Sequence, residues 1–169
     1  MIKSRHIIGK PMVTVQHGEI IGKVKDVLID PERYEIAALV LPRKLLSRKT
    51  MVLPRHQVHV FGADVILVKS DEVMARDDSL ETVSSLVAIQ KQLRGQAVVT
   101  EQGIRIGIVD DLLFDESGRA VSYALSRVLV KGPLAQSKSI PLSYTRSLGP
   151  DVIIVDSSAL SLEASGPSD

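Results

Sequence analysis

The chain repeats itself, and this constrains its fold more than any single motif. Laid over itself with a shift of about 85 residues, Gly9-Lys10-Pro11-Met12-Val13-Thr14 matches Gly95-Gln96-Ala97-Val98-Val99-Thr100, and 18–30 matches 103–115. The glycine pairs Gly18/Gly103 and Gly22/Gly107 stay in register, as do the aspartate pairs Asp26/Asp111 and Asp30/Asp115. Further on, Leu53-Pro54 falls on Ile140-Pro141, and 61–68 falls on 148–155. Similarity sustained over this length means two copies of one structural unit, differing by small loop insertions.

Within each copy the punctuation is that of strands. Short aliphatic segments rich in β-branched residues are separated by Gly18, Gly22 and the Asp30-Pro31 break, and by their counterparts in the second half. This spacing predicts strands near 11–16, 20–29, 34–41, 50–53, 58–60 and 64–68, then near 97–101, 105–114, 120–126, 137–140, 144–147 and 151–155. The expected fold is all-β, two small barrels in tandem joined by a short, partly helical linker. Residues 1–70 form the first domain and 95–157 the second. Between them, 71–94 reads as an acidic linker with a short helix, its Asp78 to Glu81 spacing resembling a capping box. Residues 158–169 lose apolar periodicity and read as a flexible tail.

The matched glycines and acids have backbone work that needs no ligand. Gly18 and Gly103 fall where a hairpin turn calls for positive φ, and Gly22 and Gly107 fall inside a long strand that must bend. Asp30 and Asp115 open turns as caps on backbone amides, and Asp26 and Asp111 have turn or ladder roles open to them.

Composition narrows the class. With 44% hydrophobic residues and a mean hydropathy of +0.15, the chain is too apolar for intrinsic disorder, while 3% aromatics and no Trp require an aliphatic core. Zero cysteines exclude disulfides, thiolate metal sites and cysteine nucleophiles. Twenty-one basic against 20 acidic residues leave a net charge of +1, so local charge must carry any electrostatic partner. No apolar run approaches the roughly 18 residues of a spanning helix, and the start lacks a signal-peptide core. A cytoplasmic protein is expected, with peripheral attachment to a membrane complex open through a protein partner.

Gly9-Lys10-Pro11-Met12-Val13, residues 22–30, Leu53-Pro54 and Asp64-Val65-Ile66, repeated in the second half, resemble the PRC-barrel family. This β-barrel module is similar to the cytoplasmic domain of the photosynthetic reaction-centre H protein and the C-terminal domain of ribosome maturation factor RimM. The resemblance covers about 9–70 and 95–157. It implies modules that dock on other macromolecules and share no catalytic set, so fold is better specified than function.

Candidate surfaces come from where the copies differ. Arg43, Lys44, Arg48, Lys49 and Arg55, with His56 and His59 behind them, form a basic stretch interrupted by Leu45 and Leu46. Such a loop suits a protein patch, RNA or anionic lipid; few aromatics argue against base stacking. The matching loop of the second copy offers Leu129, Lys131, Pro133 and Leu134. His56 and His59 with Asp64 are the nearest approach to a metal set, and no metal or other cofactor is expected. Ser137-Lys138-Ser139 lacks the setting of a nucleophile, and no phosphate-binding glycine loop occurs. No catalytic residue is assigned. The reading is a noncatalytic adaptor for a macromolecular protein partner, with RNA or a ribosomal particle as the alternative and pairing of two copies also open.

Overall fold

A computed structural model describes residues 1–42, 50–70 and 85–161. The chain divides into two compact units, Ile2–Lys91 and a second from Gln92 onward. The first contains β1 (Ile2–Lys3), β2 (Pro11–Thr14), β3 (Ile20–Lys23), β4 (Asp26–Asp30), β5 (Glu35–Val40), β6 (Val52–Pro54), β7 (Val58–Phe61), β8 (Ile66–Val68) and β9 (Val87–Ala88). Two four-stranded sheets result, in the orders β3-β2-β8-β7 and β6-β5-β4-β9. The second unit carries β10 (Ala97–Thr100), β11 (Arg105–Phe114), β12 (Ala120–Val128), β13 (Ser139–Pro141), β14 (Thr145–Leu148) and β15 (Val152–Val155), with one short helix, α1 (Pro133–Ser137). Its strands follow the path β13-β12-β11-β10-β15-β14.

The same topology underlies both units, and one strand explains why they divide differently. In the second unit β11 runs unbroken, pairing with β10 at its start and with β12 along its length. In the first, the strand expected over 20–29 is interrupted at Val24 and Lys25. Val24 N–H donates to the Lys10 carbonyl (3.0 Å) and Lys25 N–H to that of Val40 (2.8 Å), so these residues hand the chain from one sheet to the other. Gly22, two residues earlier, sits at φ +151, while Gly107 needs no positive φ. Gly107 is required for a different reason: a Cβ there would lie 2.5 Å from the Arg127 carbonyl oxygen.

Alternation places the core. In the first unit Met12, Val27, Ile29, Leu39, Leu53, Ile66 and Val68 are buried; in the second, Val98, Ile106, Leu112, Ile140, Ile153 and Val155 are. Each such side chain contributes about 1.5–3 kcal/mol relative to exposure. The aliphatic expectation holds for the first unit, whereas the second also buries Phe114 and Tyr123. The Tyr123 hydroxyl is hydrogen-bonded to Thr145 Oγ1 at 2.8 Å.

Two segments differ from the sequence reading. Where the sequence predicts a short helix before the second copy, Val87–Ala88 pairs with β4, and Ile89–Leu93 forms a single π-helical turn. The backbone is drawn there by the Asp26 carboxylate, which accepts from the Gln90 and Lys91 amides. The capping-box positions Asp78 and Glu81 lie outside the described residues. The tail expected to be flexible from 158 begins as a 3-10 helix, Ser157–Ser161, with Ala159 buried. Asp156 holds that turn by accepting from the Ser158 amide (2.8 Å) and hydroxyl (2.5 Å).

Candidate functional site

Gly18 and Gly103 close the β2–β3 and β10–β11 hairpins at φ +62 and +82. Asp30 Oδ1 accepts from the amides of Glu32 (2.8 Å) and Arg33 (3.2 Å). Asp115 Oδ1 takes the Ser117 amide (2.9 Å) and hydroxyl (2.6 Å) and the Arg119 amide (3.1 Å). The Ser117 hydroxyl, followed by the Arg119 amide, holds the Asp115 carboxyl below its ordinary pKa. Asp26 and Asp111 are buried, and each Oδ1 accepts the amide of the next residue, Val27 or Leu112, at 2.7 Å.

The candidate loops fare unequally. Arg43, Lys44, Leu45, Leu46, Arg48 and Lys49 lie outside the described residues. Arg55 is folded over the Phe61 ring, 4.9 Å from its centroid, and donates to the Val58 carbonyl at 3.4 Å. His56 and His59 are exposed, and no group of three or more metal-binding side chains assembles among the described residues. In the second unit Leu129, Lys131 and Pro133 are exposed, but Leu134 is not. Leu134 is fully buried because α1 turns it inward, so it belongs to the core and leaves the candidate surface.

A surface absent from the sequence reading lies on the outer face of the sheet β3-β2-β8-β7. Val13 is register partner of Ile20 on one side and of Leu67 on the other, and Leu67 in turn faces Val60. Register partners share a face, so Ile20, Val13, Leu67 and Val60 form an aliphatic row crossing all four strands. Their neighbours Met12, Ile66 and Val68 point into the core, which leaves the row outside. Ile20 is 66% and Val60 44% exposed. Val15, 54% exposed and two residues beyond Val13, extends the same face.

The second unit has the same rows with different chemistry. Val99 is partnered by Arg105 and Ile154, and Ile154 by Ser147. Glu101 N–H donates to Val155 as Val15 N–H does to Val68, and Asp156 N–H donates to Tyr144 as Lys69 N–H does to Gln57. These bonds align Val15 with Glu101 and Lys69 with Asp156. On this face Arg146 reaches Glu101 at 3.3 Å and Asp156 at 2.5 Å. The Ser158 hydroxyl, its amide and then Arg146 lower the Asp156 carboxyl pKa to about 2, and Asp156 in turn raises that of the Arg146 guanidinium. One face is therefore a connected apolar strip, the other a sheet dressed with ion pairs.

The PRC-barrel domain family matches residues 1–75 and 90–162. The chain belongs to the PRC-barrel domain family. No curated protein matches it. PRC-barrel domains are interaction modules. Among the described residues no helix is long and apolar enough to cross a membrane. The signal for the exposed row was present in the sequence as a contrast between copies: Val15 and Val60 against Glu101 and Ser147.

Proposed function

We propose that the chain is a noncatalytic, cytoplasmic protein-interaction adaptor that engages a protein partner through the outer face of β3-β2-β8-β7. The observation that carries this reading is the aliphatic row Ile20–Val13–Leu67–Val60, exposed at both ends. An aliphatic row with exposed ends is the composition of an interface centre. Lys23, opposite Pro11, and Lys69, two residues beyond Leu67, fall on the same face by register and alternation. The partner that fits is a protein patch with an apolar centre and a carboxylate rim. Two copies with unlike exteriors serve an adaptor, because linked weak contacts raise each other's effective concentration.

Copurification from the native host with wild-type protein and Ile20→Glu/Val60→Glu tests this. A protein retained by wild type in about 0.5 M salt, where the Debye length is well under 10 Å, and lost by the variant supports the reading. The alternative, an RNA- or ribosome-associated assembly role, draws on the basic run from Arg43 to Arg55. It predicts a nucleic-acid-containing particle that dissociates with salt, ignores the double variant, and is lost on charge reversal at Arg48 and Lys49.

A further inference from the structure

The aliphatic row of the first unit has dimensions and a charge pattern that narrow what can lie on it. It crosses β3, β2, β8 and β7, so Ile20 and Val60 stand three strand spacings apart, about 14 Å. Lysines flank it on both sides. Lys23 is the register partner of Pro11, two residues before Val13. Lys69 falls beside Val15, two residues after Val13, because β2 and β8 run parallel with Thr14 opposite Val68. The two lysine-bearing rows are therefore roughly 13 Å apart along the strands, with the aliphatic row between them. Both lysines are exposed, and the strands Pro11–Thr14, Ile20–Lys23, Val58–Phe61 and Ile66–Val68 contain no acidic residue.

Any occupant must satisfy its own backbone, since the middle of a sheet face offers hydrocarbon and no main-chain partners. A lone extended segment laid there would bury unpaired amides and carbonyls. A second sheet carries its own bonds but presents a broad apolar plane, whose outer rows would press on Lys23 and Lys69. An α-helix bonds its backbone internally and presents a single stripe with polar flanks. Its width of about 10–12 Å fits between the lysine rows. Apolar residues at i, i+4, i+7 and i+11 span about 16 Å, which matches the row with its two exposed ends.

We propose, resting on the reading that this face is the interaction surface, that the partner docks an amphipathic helix along Ile20–Val13–Leu67–Val60, across the strands, with Asp or Glu on both flanks of its apolar stripe. Lys23 and Lys69 meet opposite flanks of that helix. They select an acidic helix and reject a basic one, because like charges would face each other on either side of the stripe.

Full-length protein and three synthetic helical peptides of about 18 residues, five turns each, test this. One carries a Leu stripe flanked by Glu, one has the same composition with Leu spread around the helix, and one has Lys in place of Glu. The striped acidic peptide is expected to bind tightest, with the other two weaker by about tenfold or more. Ile20→Glu/Val60→Glu should weaken the striped acidic peptide by a similar factor. Lys23→Glu/Lys69→Glu should exchange the preference, gaining the Lys peptide and losing the Glu peptide, and a gain cannot come from misfolding. Equal binding of the three peptides, binding of none, or a preference that survives the lysine swap overturns the proposal. In copurification, excess striped acidic peptide should displace the protein that wild type retains. A retained protein lost with Ile20→Glu/Val60→Glu yet not displaced by the peptide overturns the helix and leaves the adaptor reading standing. A retained set indifferent to that variant overturns the reading itself, and the helix with it.

Discussion

The outer faces of β3-β2-β8-β7 and of its counterpart in the second unit share backbone path and register, yet one presents Ile20, Val13, Val15 and Val60 where the other presents Arg105, Val99, Glu101 and Ser147. Inward positions tell the opposite story: Met12 and Val98, Ile66 and Ile153, Val68 and Val155 are all buried. Fold is written on one side of each strand, and the two copies diverge on the other. An alternating strand permits this, because a substitution on the exterior leaves the interior row untouched.

The strongest test of shared design is the matched carboxylate. Asp26→Ala leaves the Val27, Gln90 and Lys91 amides without their acceptor and is expected to destabilise the full chain by roughly 3 kcal/mol in denaturant unfolding. Asp111→Ala is its counterpart. An equal loss means that both copies use this carboxylate as an anchor; a loss half as large means that the anchoring of 85–91 is peculiar to the first. A loss below about 1 kcal/mol for Asp26→Ala would remove it from that role.

Next in size is a transplant of one face onto the other. Val15→Glu, His59→Arg and Lys69→Asp together give the first unit the ion-pair set Glu101, Arg146 and Asp156 of the second. Partner retention should fall about tenfold to thirtyfold, roughly 2 kcal/mol and the size of one interface hot spot. Stability should move by less than about 1 kcal/mol, since all three positions are exposed. Retention unchanged by the transplant would take the interaction away from this face.

A smaller difference separates the two strand glycines. Gly107→Ala drives a Cβ against a backbone carbonyl at 2.5 Å, and Gly22→Ala meets nothing closer than the Leu41 side chain at 3.5 Å but carries φ +151. The expected costs are about 2 and about 1 kcal/mol by thermal or chemical unfolding. The reverse order would mean that the bend at Gly22, and not the close approach at Gly107, is the tighter requirement.

Much of this fold is legible in the sequence because duplication supplies an internal control. Strand positions follow from β-branched segments between Gly, Asp and Pro, and each half corrects the other's boundaries. Two features are not legible for a definite reason. The pairing of 87–88 with β4 and the Asp26 bonds to Gln90 and Lys91 are long-range, and local periodicity there favours a helix equally well. Leu134 reads as a surface residue in the sequence because a Gly-Pro turn does not reveal which way the following turn of helix faces. The aliphatic row is legible only in part: alternation marks Val13 and Val15 as one face, but the alignment of Ile20, Leu67 and Val60 with them depends on pairing register and on bulges in β2–β3 and β7–β8.

The smallest effect concerns acid. The Asp156 carboxyl is lowered from an ordinary 3.8 to about 2, by the Ser158 hydroxyl first, the Ser158 amide next and Arg146 after them. A carboxyl depressed in the folded state contributes stability that is full above 3.8 and disappears as pH falls through about 2. The first unit has Lys69 and no carboxyl at this position, so this acid-sensitive contribution has no counterpart there. Titration followed by carboxyl NMR should show Ser158→Ala raising the Asp156 midpoint more than Arg146→Ala does. Salt should weaken the Arg146 share and leave the Ser158 share in place, because solvent ions screen an exposed ion pair more than a hydrogen bond within one turn. If Arg146→Ala gave the larger shift, the ion pair and not the Ser158 turn would be what fixes Asp156, and the contrast between the two faces would rest on charge alone.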